Sequence, residues 1–481
     1  MTASDSQETT SKNEFTHKHP PPFAESHAGD DGDDILQDLG YQPELHRNRS
    51  TLQVAFMAFV LASIPYGLST TLSNPITTGA SLGEITSIYP IAGGVYYQTF
   101  MLAPPRWRRE AAWICGWLYV VGNISITLSV TFGTTLFLVS CINVFETEPG
   151  VGVLAGEPYQ VFIIFVGITL LSNAVSALGN SWLPWLDTAA IFWTLAGVLA
   201  IIITVLVVAK NGRYDATWVF THFENNSGWT DGWAFCVGLL HAAYATSSTG
   251  MIISMCEEVR KPDTQVPKAM VLTVLVNTFS GLLFLITITF ILPDLKELAD
   301  LVSAQPIPPT VKSAVGSSAG AFCLLIPIIL LGIICGIGCI TASSRCVWAF
   351  ARDGAMPGST WWVRINKKLN VPLNAMMLSM IIHILLGLIY FVAINVLTKR
   401  KQVKHAKFSL GRFGYFANTV AIAWSVLTIP LFCMPLRLPV TVTSINFASV
   451  AFAAACLVSG LWYYVWGFKN YAGPPTSASR F

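Results

Sequence analysis

Long apolar runs separated by short polar loops make up almost all of the chain after residue 50. A helix needs roughly 20 residues to cross a hydrocarbon core of about 30 Å, so runs of this length are predicted to span a membrane. They lie near residues 51–73, 113–144, 158–179, 183–209, 232–255, 267–293, 319–345, 372–397, 413–438 and 442–468. The pattern predicts an all-α polytopic membrane protein whose transmembrane domain covers residues 51–470, with about 10–11 helices.

An eleventh run, residues 76–101, is marginal. It contains Glu84, Pro90 and two glycines, Gly93 and Gly94, in mid-span. Breakers of this kind are tolerated in a membrane only where neighbouring protein or a wet cavity satisfies the freed backbone groups. We therefore expect this segment to face the interior of the bundle.

The ends of the chain differ from the rest. Residues 1–50 contain ten acidic residues against four lysines or arginines. Such a segment buries too little apolar surface to fold alone, so we predict a disordered acidic tail over residues 1–50. We find no cleavable signal before the tail and therefore expect the N-terminus to lie in the cytosol. Residues 471–481 form a short C-terminal tail.

Composition narrows the class of protein. The chain is 53% hydrophobic and 11% charged, whereas globular chains are about 25% charged. The surplus apolar surface requires lipid, and short basic loops favour anionic headgroups over nucleic acid as partners. The sequence contains no P-loop, zinc spacing or catalytic triad, so we expect neither an enzyme nor a bound metal or cofactor.

Loop charges set a topology that fails near the C-terminus. With the N-terminus inside and residues 76–101 counted as a crossing, basic loops at 106–109, 257–268 and 352–368 also fall inside. The basic segment 398–407 falls outside if 372–397 crosses. Either that run does not cross, or a helix is absent between Asn395 and Lys399.

Two spans carry the pattern of a broken helix. Residues 63–70 and 244–250 place proline, glycine and hydroxyl residues in mid-membrane. Paired discontinuous helices are the best sequence indication of a transporter's binding site, because their exposed amides and carbonyls hold ions. The candidate residues are Pro65, Tyr66, Gly67, Tyr244, Thr246, Ser247, Ser248, Thr249 and Gly250. The alternative is a simple kink at Pro65 and hydroxyls that bond their own helix.

Ionisable residues within the spans are few, and charge there is expensive. Glu84 is the candidate for a coupling proton, with a structural ion pair as the alternative. Asp187 is expected to cap its helix, and Arg345 to reach the inner interface. Tyr66, Tyr119, Tyr244 and Trp348 could form an aromatic cage for a quaternary ammonium group.

Several segments resemble one known family, the fungal choline and amino-acid (GABA-type) permeases of the amino acid-polyamine-organocation superfamily. The segments are 62–72 (ASIPYGLSTTL), 80–97, 113–127, 250–262 (GMIISMCEEVRKP), 350–357 (FARDGAMP), 371–375 and 410–414 with 439–441. The resemblance covers nearly everything after residue 50.

The resemblance implies a five-plus-five inverted-repeat (LeuT-like) transporter fold with two further helices. It also implies alternating access and proton-coupled uptake of choline or a small amino acid or amine, at the plasma membrane. The family's first and sixth helices are unwound, which places the substrate near Tyr66, Gly67 and residues 246–250, with Asn123 on the third helix.

Two departures from the family pattern stand out. Most of helix 2 should lie between Asn74 and Ala80, and helix 10 between Asn395 and Phe408, and both segments are short here. Loss of helix 10 would explain the topology conflict. The alternative function is therefore a transport-inactive truncated paralogue, or a receptor-like membrane protein that keeps the permease fold.

Overall fold

A computed structural model of the chain describes residues 31–45, 47, 49, 53, 82–148, 151–154, 158–209, 214–222, 225, 229–238, 249–292, 305–378, 419, 448–471, 473 and 474. The helices within these ranges are α1 (Asp31–Asp38), α2 (Gly94–Leu102), α3 (Arg108–Ile142), α4 (Pro158–Leu178), α5 (Leu183–Val208), α6 (Ala216–Thr221), α7 (Asp231–Gly238), α8 (Thr249–Ile253), α9 (Pro262–Phe290), α10 (Ile307–Val315), α11 (Ser318–Arg352), α12 (Ser359–Trp362), α13 (Leu373–Leu378), α14 (Ala448–Trp462) and α15 (Phe468–Asn470). A 3-10 turn spans Cys256–Glu258, and a π-helical turn, Tyr463–Gly467, separates α14 from α15. Strands β1 (Glu146–Glu148) and β2 (Val151–Gly152) pair antiparallel.

Among the described residues, four helices are long and apolar enough to cross a membrane, namely α3, α5, α9 and α11. They coincide with four predicted runs, and α4 coincides with a fifth. Helix α3 begins five residues before its predicted start, because Arg108 and Arg109 continue the helix into a polar first turn. Of the run 232–255, α7 and α8 form the two ends. The runs 372–397 and 413–438 lie almost wholly outside the described residues.

Helices α3 and α11 pack antiparallel along most of their length. Gly116 near the start of α3 faces Phe350 near the end of α11, and Gly332 of α11 faces Thr134 of α3. A Cβ at Gly116 would lie 2.2 Å from the Phe350 ring, and one at Gly332 would lie 2.7 Å from Thr134 Oγ1. Small residues let membrane helices approach closely where lipid offers no hydrophobic driving force. This pair forms the centre of the bundle.

The marginal run 76–101 is interrupted, as its breakers predicted. A helical stretch at 82–86 stops before Pro90, and helix resumes at Gly94 with α2. Gln98 Nε2 donates to the carbonyl oxygen of Tyr89, and the backbone N–H of Ala92 donates to Glu257 Oε1. Neighbouring side chains therefore satisfy backbone groups that the break leaves free.

The predicted N-terminal disorder does not hold for the end of the tail. Residues 31–45 with Arg47 and Arg49, which we call the N-terminal arm, form α1 and a docked extension. Leu36, Leu39 and Tyr41 are buried in the same core cluster as α2. The acidic composition concealed this apolar set, which folds only against a surface that the rest of the chain supplies. The N-terminal arm docks against one end of the helix bundle, and we refer to that end as the arm end.

The outer faces of the long helices are apolar. Phe192 and Val207 of α5 and Phe279 of α9 are each about two-thirds or more exposed, at 67%, 74% and 68%. Soluble monomers rarely expose such continuous apolar surface. These faces fit contact with lipid, as the composition predicted.

Candidate functional site

The break in the run 76–101 and the end of the run 232–255 meet at one side chain of α3. The Tyr119 hydroxyl donates to the carbonyl oxygen of Gly250, at 2.8 Å. Gly94 lies behind the same ring with a φ of +54°, and a Cβ there would lie 3.0 Å from the hydroxyl. Glycine is suited to both this conformation and this close approach. Tyr119 thus links α3 to the interrupted second run at Gly94 and to α8 at Gly250.

Asn123 lies one helical turn beyond Tyr119 and is fully buried. Its Nδ2 donates to the carbonyl oxygen of Tyr119, at 3.1 Å. Its Oδ1 is a buried acceptor with no hydrogen-bond partner in the described part of the chain. A buried polar atom without a partner is costly, so such an acceptor is suited to a donor from outside the protein.

The structure places only part of the predicted site. Gly250 and Asn123 both contact Tyr119, and no described atom lies within 4 Å of a Cβ built at Gly250. The candidates Pro65, Tyr66, Gly67, Tyr244, Thr246, Ser247 and Ser248 lie outside the described residues, as does the side chain of Thr249. Glu84 is fully buried in the helical stretch 82–86.

The aromatic-cage hypothesis fails for one of its members. Trp348 lies at the arm end, where its indole N–H donates to the carbonyl oxygen of Val363 and its ring stacks against Arg352. Tyr66 and Tyr244 lie outside the described residues. Among the described residues, Tyr119 is therefore the cage candidate that remains beside Gly250.

A second polar cluster closes the arm end. Arg49 Nη1 bonds Asp187 Oδ2 at 2.9 Å, and Arg49 Nε bonds Glu258 Oε2 at 3.2 Å. The Arg49 backbone also bridges to the chain around Val259, through Arg49 N–H to Glu258 O and Arg260 N–H to Arg49 O. Asp187 therefore pairs with the arm, which corrects the expectation that it caps α5.

Glu258 extends the cluster to α11. Its Oε1 accepts from Arg345 Nε at 2.8 Å, and Arg345 Nη2 donates to Asn180 Oδ1 at 3.0 Å. Arg345 is fully buried, so the expectation that it reaches the interface is wrong. Burial opposes ionisation of Glu258, but Arg345 and Arg49 outweigh it and hold the pKa of Glu258 below its ordinary value.

A parallel pair lies beside this chain of contacts. Both terminal nitrogens of Arg352 donate to Glu257, at 2.8 and 3.1 Å, and the guanidinium stacks on Tyr41 of the arm. The cluster thus holds three arginines against three carboxylates, those of Asp187, Glu257 and Glu258. Buried charges are tolerated when they are paired and hydrogen-bonded in this way.

Sequence reasoning identified members of this cluster separately but missed Arg49 and the pairing. The sequence predicts that Arg49 lies in the disordered tail, and it singles out Glu257 and Glu258 only within a basic loop and a family motif. One signal was available, since a charge inside an apolar run such as Arg345 requires a buried partner. Within the described residues, no group of three or more His, Cys, Asp or Glu side chains could hold a metal ion.

Comparisons with known proteins match this chain over nearly its whole length. The profile of the family described as amino acid permease matches residues 53–458. The chain is 30% identical to the choline transporter of Saccharomyces cerevisiae over 432 residues, which cover 85% of this chain and 76% of that transporter. It is 30% identical to the amino-acid permease BAT1 homolog of Oryza sativa subsp. japonica over 493 residues, covering 89% and 93%. It is 28% identical to the polyamine transporter TPO5 of Saccharomyces cerevisiae over 426 residues, covering 82% and 68%.

Proposed function

This chain belongs to the amino acid permease family and is therefore a multi-pass membrane transporter and not an enzyme, and we propose that it carries choline or a small amino acid or amine. The similar proteins named above are a choline transporter, an amino-acid permease and a polyamine transporter. What these three kinds of substrate share is an amine or ammonium group. The proposed substrate class is that shared chemistry, with GABA-like amino acids included.

The observation that carries the proposal is the corner formed by Tyr119, Asn123 and Gly250. Gly94 of the interrupted second run and Gly250 of α8 meet there around one hydroxyl, and no described atom lies within 4 Å of a Cβ built at Gly250. We propose that the substrate occupies this space. The other residues proposed to contact it are Pro65, Tyr66, Gly67, Tyr244, Thr246, Ser247, Ser248 and Thr249. Interrupted helices present free amides and carbonyls at such a point, which suits an amino acid's carboxylate and amine.

The unpartnered oxygen of Asn123 bears on which amine is favoured. A primary ammonium can donate N–H to this acceptor, whereas the quaternary ammonium of choline has no N–H and can offer only its hydroxyl. Choline would instead depend on the face of Tyr119. Uptake of both classes, measured side by side, separates these two modes of binding.

The proposed transport mechanism is proton-coupled alternating access in a five-plus-five inverted repeat. By the predicted count, α3 is the third crossing and α11 the eighth. An inverted repeat would relate these two helices in antiparallel orientation. Their antiparallel packing supports this proposal. Glu84 is proposed to carry the coupling proton, since it is buried beside the break in the second run. The arm end is proposed to face the cytosol from a plasma membrane, with its ion pairs closing that side.

The proposed loss of parts of helices 2 and 10 favours a second candidate function. The alignment with the rice relative is 493 positions long. This chain has 481 residues, and only 89% of them lie within the alignment. The aligned relative therefore has segments that this chain lacks. If the lost segments are essential, the chain is a transport-inactive paralogue or a receptor-like protein that binds without carrying.

The test is uptake of radiolabelled choline, GABA and a polyamine into yeast that lacks its own carriers. Cells would express this chain, or the chain with both short segments restored from a relative. Uptake by this chain supports the transporter proposal, and binding without uptake supports the receptor-like alternative. Neither uptake nor binding by the restored chain would overturn the proposed substrate class.

A pair of glycine variants tests the site. Gly250→Leu would fill the proposed substrate space, whereas Gly232→Leu in α7 adds the same side chain where no described atom lies within 4 Å. We expect Gly250→Leu to abolish binding with normal membrane insertion, and Gly232→Leu to retain uptake. Equal uptake by the two variants would disprove the site assignment.

A further inference from the structure

A cavity of about 140 Å³ lies at the arm end, beside the buried ion pairs and outside the proposed substrate site. Its lining includes Leu45 of the N-terminal arm, Leu178 at the end of α4, Asn180 and Ser181 in the loop that follows, Glu258 of the 3-10 turn, and Lys368. A cavity of about 150 Å³ holds a benzene molecule in another protein, so this one has room for a small polar headgroup.

Hydrogen bonds fix the polar groups on two sides of the cavity. Asn180 Nδ2 donates to the carbonyl oxygen of Asn370 at 3.3 Å, and Asn180 Oδ1 accepts from Arg345 Nη2 at 3.0 Å. The turn that carries Lys368 is held by Asn366, whose Oδ1 accepts from the Lys368 backbone N–H at 3.0 Å. Because both sides are already ordered, a ligand between them binds without a large loss of chain entropy.

The charges around the cavity favour an anion. Glu258 is acidic, but Arg345 donates to its Oε1 at 2.8 Å and Arg49 donates to its Oε2 at 3.2 Å. Asp187 also pairs with Arg49. Within the described part of the chain, the Lys368 ammonium makes no ion pair or hydrogen bond. The cavity and the ion pairs behind it therefore hold three positive side chains against two negative ones, and Lys368 supplies the excess charge.

The hydrogen-bonding groups of the lining suit a phosphate. Lys368, Ser181 and Asn180 are side chains that can donate, and Asn180 keeps one N–H after its bond to Asn370. The Ser181 hydroxyl has no partner among the described residues. Phosphate oxygens accept several hydrogen bonds at once and are attracted by an ammonium group. A ligand with an ammonium group would instead meet Lys368, so this cavity differs from the proposed substrate site in the charge it selects.

Large apolar side chains lie exposed next to the cavity. Leu178 of its lining is 73% exposed, and Trp182 and Trp185 around the start of α5 are 74% and 68% exposed. Tryptophan is enriched where a membrane meets water. Basic pockets between transmembrane helices at this level bind anionic lipid headgroups. The polar cavity therefore lies beside a surface suited to acyl chains.

We propose that the cavity binds the phosphate headgroup of an anionic phospholipid, with Lys368 and Ser181 donating to the phosphate and the acyl chains lying along Leu178 and Trp182. Phosphatidic acid is the smallest such lipid, since its headgroup is a phosphate without a further substituent. Bound lipid would connect the loop between α4 and α5 to the turn at Lys368, and would stabilise the folded protein by mass action. The site does not rest on the proposed substrate.

Native mass spectrometry of the full-length protein in detergent measures the binding. The probes are phosphatidic acid, diacylglycerol with the same acyl chains, and inorganic phosphate, each titrated separately. Lys368→Gln removes the ammonium group of the cavity, and Lys367→Gln removes a neighbouring one that does not line it. Both lysines are exposed, so neither substitution disturbs buried packing.

We expect phosphatidic acid to bind at least about tenfold more tightly than diacylglycerol, because hydrogen bonds to charged groups are strong. Lys368→Gln should weaken the tightest phosphatidic acid site by about tenfold. Lys367→Gln should weaken it by less than about twofold, since exposed charges contribute little.

Equal losses in the two variants would assign the binding to diffuse surface charge and overturn the proposal. Equal affinities for phosphatidic acid and diacylglycerol would also overturn it. Inorganic phosphate that binds as tightly as phosphatidic acid would assign the cavity to soluble anions and exclude a lipid.

Photolabelling locates the bound lipid. A phosphatidic acid analogue with a diazirine beside its headgroup should label peptides that contain residues 178–185 or 366–370, and Lys368→Gln should reduce this labelling. A second basic surface lies at the start of α3, where Arg106, Arg108 and Arg109 are close in sequence. Labelling confined to that surface would overturn the site. Neither measurement depends on uptake, so a failure of the proposed function would leave the lipid site standing.

Discussion

Tyr119 of α3 donates a 2.8 Å hydrogen bond to the carbonyl oxygen of Gly250 in α8, which lies 131 residues further along the sequence. This bond fixes one wall of the proposed substrate space to the central helix α3. It therefore gives a direct means of testing whether α8 is positioned for substrate binding.

Tyr119→Phe should weaken substrate binding without unfolding the protein. It removes one neutral hydrogen bond, worth about 1 kcal/mol, which corresponds to an increase of about fivefold in KM. The measurement is concentration-dependent uptake, with Tyr464→Phe on the 84%-exposed side chain of Tyr464 as the control. An unchanged KM in Tyr119→Phe would separate this contact from binding.

Arg49→Ala should strongly destabilise the protein, because it leaves Asp187 buried and unpaired and removes one of the two partners of Glu258. Breaking a buried pair costs about 3–5 kcal/mol. The readout is the thermal unfolding midpoint of the purified protein. Lys312→Ala breaks the more exposed pair with Glu146 and should cost at most about 1 kcal/mol. Equal shifts in the two variants would contradict the role assigned to Arg49.

Gly116→Ala should separate α3 from α11. The added methyl would lie 2.2 Å from the fully buried Phe350 ring, and overpacking of this kind costs about 1–3 kcal/mol. Gly133→Ala in the same helix meets no described atom within 4 Å and should be neutral or slightly stabilising. Thermal unfolding of both variants provides the comparison. If Gly133→Ala proves the more damaging substitution, the described packing of the pair is incorrect.

Acid should destabilise the arm end through Glu258. Burial opposes its ionisation, yet Arg345 and Arg49 hold its pKa below the ordinary 4.5. A carboxyl of this kind contributes stability above pH 4.5 and loses it as pH falls through the lowered value. The unfolding midpoint should therefore drop in acid, and Glu258→Gln should be less stable at neutral pH with a shallower drop. A parallel drop in the two proteins would exclude Glu258 as the cause.

The long helices could be predicted because their signal is local. An apolar run of membrane length specifies a helix whatever its neighbours are, so α3, α5, α9 and α11 begin and end near their predicted bounds. The break at residues 87–93 was equally visible, since Pro90 and two glycines mark it in the sequence. The hydrogen bond from the Ala92 N–H to Glu257, which stabilises the break, could not be predicted, because these residues lie 165 positions apart in the sequence.

The N-terminal arm and the ion-pair cluster could not be predicted for the same reason. Composition describes a segment alone, whereas the N-terminal arm acquires structure against α2, the 3-10 turn and α11. For Arg345 and Asp187 the sequence showed that the charges are costly but not which charges meet. The sequence predicts a helix break near Gly250. It could not predict the contact with Tyr119, because that contact joins residues far apart in the chain.

The position of the arm in the chain has a consequence for biosynthesis. Tyr41 leaves the ribosome 312 residues before its partner Asp353. At about 5–20 residues per second, Tyr41 waits roughly 15–60 s for that partner to be made. Arg49 similarly waits for its carboxylate partners Asp187 and Glu258 to be made. The arm is therefore the first described part of the protein to be synthesised and among the last to fold.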